Sequence, residues 1–254
     1  MSLTLRNFMK AYQNFALASQ YGPVAGNINS TISFHNYFEQ IFPNSQIDVT
    51  LNLFYFNFDG VEVGNFSLHV PTNSSIQFDA SKENIKSDGL VVIAAVPNKN
   101  IHLIKPSAMK IRPQITTGFY IKWEGRNGAI DIMHEWSLLS SSSIVKNIHH
   151  IGLLNKINIK YGLILMNTVL GEKFYSLPKL SLMNSSRSEL LGEVTLDKIP
   201  SMCTKVLILN DIFPDIDYLL DENSSLVLDL IGENLAPPLT VEWHAAGDFH
   251  IHHL

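Results

Sequence analysis

The chain has 254 residues, enough for one large domain or two ordinary ones, and its 46% hydrophobic content is that of a protein with a packed core. Charged residues make up only 16%, and 18 Lys and Arg against 23 Asp and Glu leave a net charge of −5. No basic stripe exists to neutralise phosphates, which excludes a nucleic-acid binder, and the longest apolar run, Leu90 to Val96, falls far short of the roughly 20 residues a membrane span needs.

Asn, Ser and Thr take the place of the missing charges, a composition that suits strands and turns better than solvated helices. The single Cys203 allows no internal disulfide, and the N-terminus lacks the basic start and apolar stretch of a signal peptide. The expected compartment is the cytoplasm.

Along the chain, residues 2–19 place Leu5, Phe8, Met9, Tyr12, Phe15 and Ala16 at helical spacing, with Gly22-Pro23 as the stop. From Ile32 the period becomes two. Ile47, Val49, Leu51, Leu53 and Tyr55 alternate with polar residues, as do Phe66, Leu68 and Val70, and Leu90 to Val96 reads as a strand buried on both faces. Phe119, Ile121 and Trp123 lead into Gly125-Arg126-Asn127-Gly128, and Ile130, Ile132, His134 and Trp136 return on the same face of a hairpin with an Asn-Gly turn. Serines 140–143 and the mixed segment through His149-His150 read as loop.

The second half echoes the first. Val63-Gly64-Asn65-Phe66 with Pro71 is matched by Leu191-Gly192-Glu193-Val194 with Pro200, and Phe119, Ile121, Trp123 by Leu239, Val241, Trp243. A shorter loop in place of 104–116 absorbs the change of offset between these landmarks. The expected fold is all-β: a short N-terminal helix and lead-in over 1–29, a first antiparallel β-sandwich over 30–137, a linker over 138–159, and a second sandwich over 160–254, related by internal duplication.

Tyr21-Gly22-Pro23 through Ser33-Phe34-His35, the long strand to Tyr55, and Val63-Gly64-x-Phe66-x-Leu68-x-Val70-Pro71 together resemble the sensory rhodopsin transducer family. The resemblance covers residues 15–97 and, more loosely, 160–232. It implies a small antiparallel β-sandwich that oligomerises and binds a partner or small ligand without catalysis. Two copies and a histidine-rich end depart from that pattern, so no functional residue is carried over.

The chemistry is concentrated in the last strand. Alternation from Gly247 puts Asp248, His250 and His252 on one face, and His244 on the preceding strand shares the parity of Glu242. Imidazoles and a carboxylate two residues apart suit a divalent transition metal, against the alternative of a solvated strand or subunit contact. No nucleophile elbow, phosphate loop or zincin helix accompanies them. Phe54, Phe56 and Phe58 form an aromatic face, either buried under the helix or the other domain, or serving as a subunit or partner interface. The leading expectation is a non-catalytic binding or assembly module, a signalling or adaptor protein that forms a homo-oligomer and takes a protein partner or small ligand. The alternative is a metal-dependent enzyme or metal-binding protein using the C-terminal histidines.

Overall fold

The computed structural model describes residues 4–11, 17–24, 27–38, 44, 46–83, 85, 88–99, 119–134, 137–138, 146–156, 158–171, 173–245 and 247–253. The chain divides into two compact units. One comprises Met1–Asn57, Glu62–Trp123 and Ile132–Leu139, the other Phe58–Val61, Glu124–Asp131 and Ser140–Leu254.

The first sandwich is built from α1 (Leu5–Ala11), β1 (Ala18–Tyr21), β2 (Ile28–His35), β3 (Val49–Phe56), β4 (Glu62–Val70), β5 (Ser75–Asp79), β6 (Leu90–Pro97), β7 (Phe119–Gly125), β8 (Ile130–His134) and β9 (Ser137–Leu138). The second contains β10 (Lys146–Leu154), β11 (Ile159–Met166), β12 (Lys179–Asn184), β13 (Leu190–Thr195), β14 (Thr204–Ile208), α2 (Leu209–Ile212), α3 (Ile216–Asn223), β15 (Ser225–Glu233), β16 (Leu239–His244) and β17 (Phe249–His253). The sheets of the first run β4-β3-β6-β1-β9 and β5-β2-β7-β8, and those of the second run β13-β12-β15-β10 and β14-β11-β16-β17. Apart from β9, the two sandwiches follow one strand order.

Alternating apolar residues explain the layers. In the first sandwich Leu51, Leu53 and Tyr55 of β3, Ile32 and Phe34 of β2, and Ile121 and Trp123 of β7 are buried. The Trp123 indole N–H donates to the Tyr21 carbonyl at 3.0 Å, satisfying its one polar atom. In the second, Ile151, Leu153, Leu163, Leu165, Leu180, Leu182, Leu228 and Leu230 form the core together with Phe213, Ile216 and Leu220. The recurring glycines make room for the connection between the sheets: a Cβ on Gly64 would meet Ile85 at 2.8 Å, and one on Gly192 would meet Phe213 at 3.1 Å.

A buried asparagine sits at the same place in each sandwich. The Asn36 amide donates to the carbonyls of Ile47, Val70 and Pro71, and its oxygen accepts the Phe38 N–H. The Asn167 amide donates to the carbonyls of Phe174 and Ile199, and its oxygen accepts the Val169 N–H. Both pin the end of one strand to the residue before, or at, the proline landmark.

Several sequence expectations need correction. The helix spans only Leu5–Ala11 of the expected 2–19; Tyr12, Phe15 and Ala16 lie outside the described residues, and Ala18–Tyr21 is a strand. Pairing with β6 on one side and β9 on the other overrides helical spacing there. The lead-in 1–29 therefore already contains sandwich structure. Residues 146–154 of the expected linker are β10, paired along their whole length with β15. His149 and His150 are thus strand residues, with Ile151 and Leu153 in the core. The serine run 140–143, Trp136 and the loop 104–116 lie outside the described residues.

The hairpin turn also differs. The Gly125 N–H reaches the Ala129 carbonyl at 2.8 Å and the Gly128 N–H the Gly125 carbonyl at 3.0 Å, with positive φ at Gly128 but not at Asn127. This is a three-residue loop ending in a left-handed glycine, not a two-residue Asn-Gly turn. The extra residue reverses the faces of the return strand. Ile130 and Ile132 are consequently exposed, at 52% and 61%, while Met133 is buried.

Ladder registers shift the correspondences by one residue. Tyr55 pairs with Gly64 and Val91, and Leu182 pairs with Gly192 and Leu228, so Tyr55 corresponds to Leu182, and Phe54 to Ser181. A register irregularity follows Tyr55 and Leu182 alike. The turn at His244 repeats the loop at Gly125, with its bonds from His244 to Asp248 and Gly247 to His244 and positive φ at Gly247. Trp123 therefore corresponds to Glu242, and Trp243 to Glu124. The two tryptophans lie on corresponding strands but opposite faces.

Candidate functional site

The β16–β17 hairpin gathers the histidines. Its register sets Glu242 opposite His250 and Thr240 opposite His252. Val241, Phe249 and Ile251 are drawn into burial on one face, which leaves Glu242, His244, His250 and His252 on the other. The His244 and His250 rings lie 5.2 Å apart, edge to face, and the His250 and His252 rings 6.0 Å apart, nearly parallel. His250 Nδ1 is 3.9 Å from Asp131 Oδ2, and that same oxygen accepts the Ile251 N–H at 2.7 Å. Asp248 is exposed at the turn, where its backbone carbonyl accepts the His244 N–H.

The expected set of Asp248, His250, His252 and His244 is therefore brought onto one hairpin, but as a row. Among the described residues, no three His, Cys, Asp or Glu side chains are grouped to hold a common ion. The reason is the strand itself, whose alternate side chains stand roughly 6–7 Å apart and run parallel unless another element supplies a converging ligand.

Beside His244 the second sandwich opens into a cleft of about 490 Å³ lined by Asn155, Lys156, Lys160, Asp217, Trp243 and His244. Lys156 bonds both Glu242 oxygens, at 2.7 and 2.9 Å, and this bond raises the lysine above its ordinary range. His244 Nε2 is enclosed without a hydrogen-bond partner among the described residues. The Tyr161 hydroxyl donates to the Leu154 carbonyl at 2.7 Å, and burial pushes its pKa up. The cleft thus offers charges of both signs and an aromatic wall.

A second polar cluster escaped sequence reasoning. Asp229, on β15, is nearly buried on the outer side of its sheet. Its Oδ1 is 2.7 Å from His150 Nδ1, and its Oδ2 accepts from Arg187 Nη2 at 2.7 Å. The partners lie 79 and 42 residues away in sequence, on β10 and in the β12–β13 turn, so only the folded ladder unites them.

Phe54 and Phe56 are buried, the Phe54 ring 5.3 Å from that of Phe8 on α1, and only Phe58 is exposed, at 42%. Helix α1 thus packs on Phe54. Cys203 is buried, and burial first, then the charge of Asp59, push its thiol up to about 11, which keeps it protonated and unreactive.

No family model and no curated protein matches the chain. Among solved structures, a glycosyl hydrolase family 2 member from Bacteroides cellulosilyticus overlaps it with a TM-score of 0.22 at 10% identity, covering 92% of this chain and 25% of that one. The exo-chitosanase CsxA of Amycolatopsis orientalis overlaps with a TM-score of 0.19 at 8% identity, covering 96% and 26%. The chain thus spans about a quarter of the length of those proteins. Overlap at this level carries no inference about activity or substrate. No helix among the described residues is long and apolar enough to cross a membrane.

Proposed function

We propose that the chain is a non-catalytic binding or assembly module, formed by tandem duplication of one sandwich and working in the cytoplasm. The duplication is supported by the shared strand order, the matching register irregularities and the paired Asn36 and Asn167. The resemblance to the sensory rhodopsin transducer family fits the same reading, with a protein partner or small ligand and an adaptor role.

One observation carries the choice of binding over catalysis: the ionisable groups Lys156 and Glu242 at the cleft, and His150, Asp229 and Arg187 on the outer sheet face, are bonded to one another. Lys156 is held by Glu242, and Asp229 by His150 and Arg187. Groups so paired shape and charge a surface, whereas a catalytic base or nucleophile needs its reactive atom turned to a substrate. The cleft beside Trp243 and His244 is the small-ligand site in this reading.

Metal analysis of untagged protein, purified without an immobilised-metal column, tests it. The expected result is no stoichiometric metal. Stoichiometric zinc or nickel that disappears in His250→Ala would replace this reading with a metal-dependent one using His244, His250 and His252.

A further inference from the structure

The outer edge of β10 has an identifiable set of unused backbone groups. β10 pairs with β15 in unbroken register from Lys146 to Leu154, with no bulge and no proline. At Leu154 both the N–H and the C=O are taken by the Tyr161 hydroxyl, at 3.3 and 2.7 Å, rather than by β15. Since backbone groups in an antiparallel strand alternate sides, those of Ile148, His150 and Gly152 turn the same way as Leu154. They have no backbone partner among the described residues.

The first sandwich shows what this place accepts. β1 stands beside β6 as β10 stands beside β15, and its outer edge is paired antiparallel with β9, Ser19 opposite Ser137. Through the ladders, Ser19 pairs with Val92 and His150 with Asp229, so His150 occupies the position of Ser19.

We propose that the open edge of β10 pairs antiparallel with β10 of a second copy of this chain, about a two-fold axis at His150. The strand is complementary to itself in that register. Ile148, with its side chain 55% exposed, comes to lie opposite the partner's Gly152, and Gly152 opposite the partner's Ile148. A Cβ on Gly152 would meet nothing within 4 Å, so each isoleucine has a bare backbone to cover. At the axis the two His150 rings stand side by side, each backed by Asp229 and Arg187. A nine-residue edge with a single Lys and no proline lacks the usual safeguards against strand addition. Edge pairing of this extent buries little area, so the dissociation constant is on the order of micromolar.

This inference rests on the assembly side of the function proposed above and gives it a surface. Sedimentation velocity of the full chain across micromolar concentrations tests it. The expected result is a shift from the 28.5 kDa species to one of twice that mass. Ile148→Pro removes an N–H that faces away from β15, so it abolishes the dimer while leaving circular dichroism and melting unchanged. Gly152→Val, which the fold accommodates, weakens association by blocking the seat of the partner's Ile148. Hydrogen exchange adds a direct reading, with the amides of Ile148, His150 and Gly152 becoming protected as concentration rises. A monomer at every concentration would overturn the proposal, as would a dimer indifferent to both substitutions. So would concentration-independent protection of those amides, which would mean that the chain covers its own edge. None of these outcomes bears on the metal assay, so failure here is distinguishable from failure of the functional reading.

Discussion

The two sandwiches share an interior plan and differ on their outer faces. In the first, the centre of the outer side of the β4-β3-β6-β1-β9 sheet is buried and largely apolar, with Phe54, Phe56, Leu90 and Val92 at under 5% exposure. In the second, the corresponding face carries Ser181, Met183, Asp229 and His150, a polar set in which Ser181 and Asp229 are buried, Met183 is half-buried and His150 is exposed. The other pair of sheets reverses this. Tyr120, Ile130 and Ile132 are exposed in the first sandwich, while Leu239, Val241, Phe249 and Ile251 are buried in the second. Central interior positions such as Leu53 and Leu180, or Tyr55 and Leu182, stay apolar because close packing penalises change, whereas an outer face is free to become a core, a charged surface or a cleft. Function in such a pair is therefore sought where corresponding positions disagree.

The sharpest way to break this comparison is at a position where the sandwiches agree. Asn36→Asp and Asn167→Asp replace an amide donor by a carboxylate oxygen directed at backbone carbonyls. Each should cost about 4 kcal/mol or more, as buried uncompensated charges do. The alanine variants should cost about 1–3 kcal/mol each. Urea unfolding followed in both variants checks this. A large loss at Asn36 with none at Asn167 would show that the shared geometry does not mean a shared role.

Corresponding positions that disagree should give unequal losses. Trp123 is fully buried and bonded to Tyr21, whereas Glu242 is bound to half-exposed Lys156. Trp123→Ala should cost about 3–4 kcal/mol. Glu242→Ala should cost about 1 kcal/mol or less, and its larger effect should be on binding in the adjacent cleft. Equal losses in chemical denaturation would return both residues to a common structural role.

Legibility in the sequence followed the clarity of alternation. β3, β4 and the existence of the closing-hairpin strands could be read because one parity is apolar throughout, and β6 because its apolar run is continuous. β1 could not, because Ser19 and Gln20 are polar yet fully buried between two neighbouring strands. β10 was hidden by His149 at a core-facing position and Ile148 at an exposed one. Register escaped because a single loop residue, at Arg126 to Gly128, reverses every face that follows. The histidine row was legible as parity on one strand, but its failure to converge was not. Asp229, His150 and Arg187 left no local trace, since each lies on a different element.

A finer test uses the return strands, where Ile132 corresponds to Ile251. Ile251 is 2% exposed and Ile132 is 61% exposed. Ile251→Thr should cost about 1–3 kcal/mol through the buried hydroxyl and lost methylene, and Ile132→Thr should stay within about 0.5 kcal/mol. Thermal melts of the two variants would show whether the buried outer face of the second sandwich contributes as a core does.

The smallest expected effect concerns His149, which corresponds to Ala18 and gives the second sandwich a pH response that the first lacks at this position. Burial chiefly, and the charge of His150 next, hold its imidazole below the ordinary value of 6.5. The folded state therefore favours the neutral ring, and the unfolded chain takes up the proton first as the pH falls. The contribution is fully present above 6.5 and is lost as the pH drops through that value toward the folded one. Asp48, lowered by the Thr72 N–H, and Glu193, lowered by Lys179, lose their contributions only below about pH 4, outside this window. Glu62, raised by burial, acts in the opposite sense: its penalty is relieved as the pH falls through its raised value. Because Glu62 is common to both proteins, comparing wild type with His149→Ala isolates the histidine. Melting temperature measured from about pH 8 to about pH 5 should decline less steeply in His149→Ala. Parallel curves would show that protonation of His149 is not linked to the stability of the second sandwich.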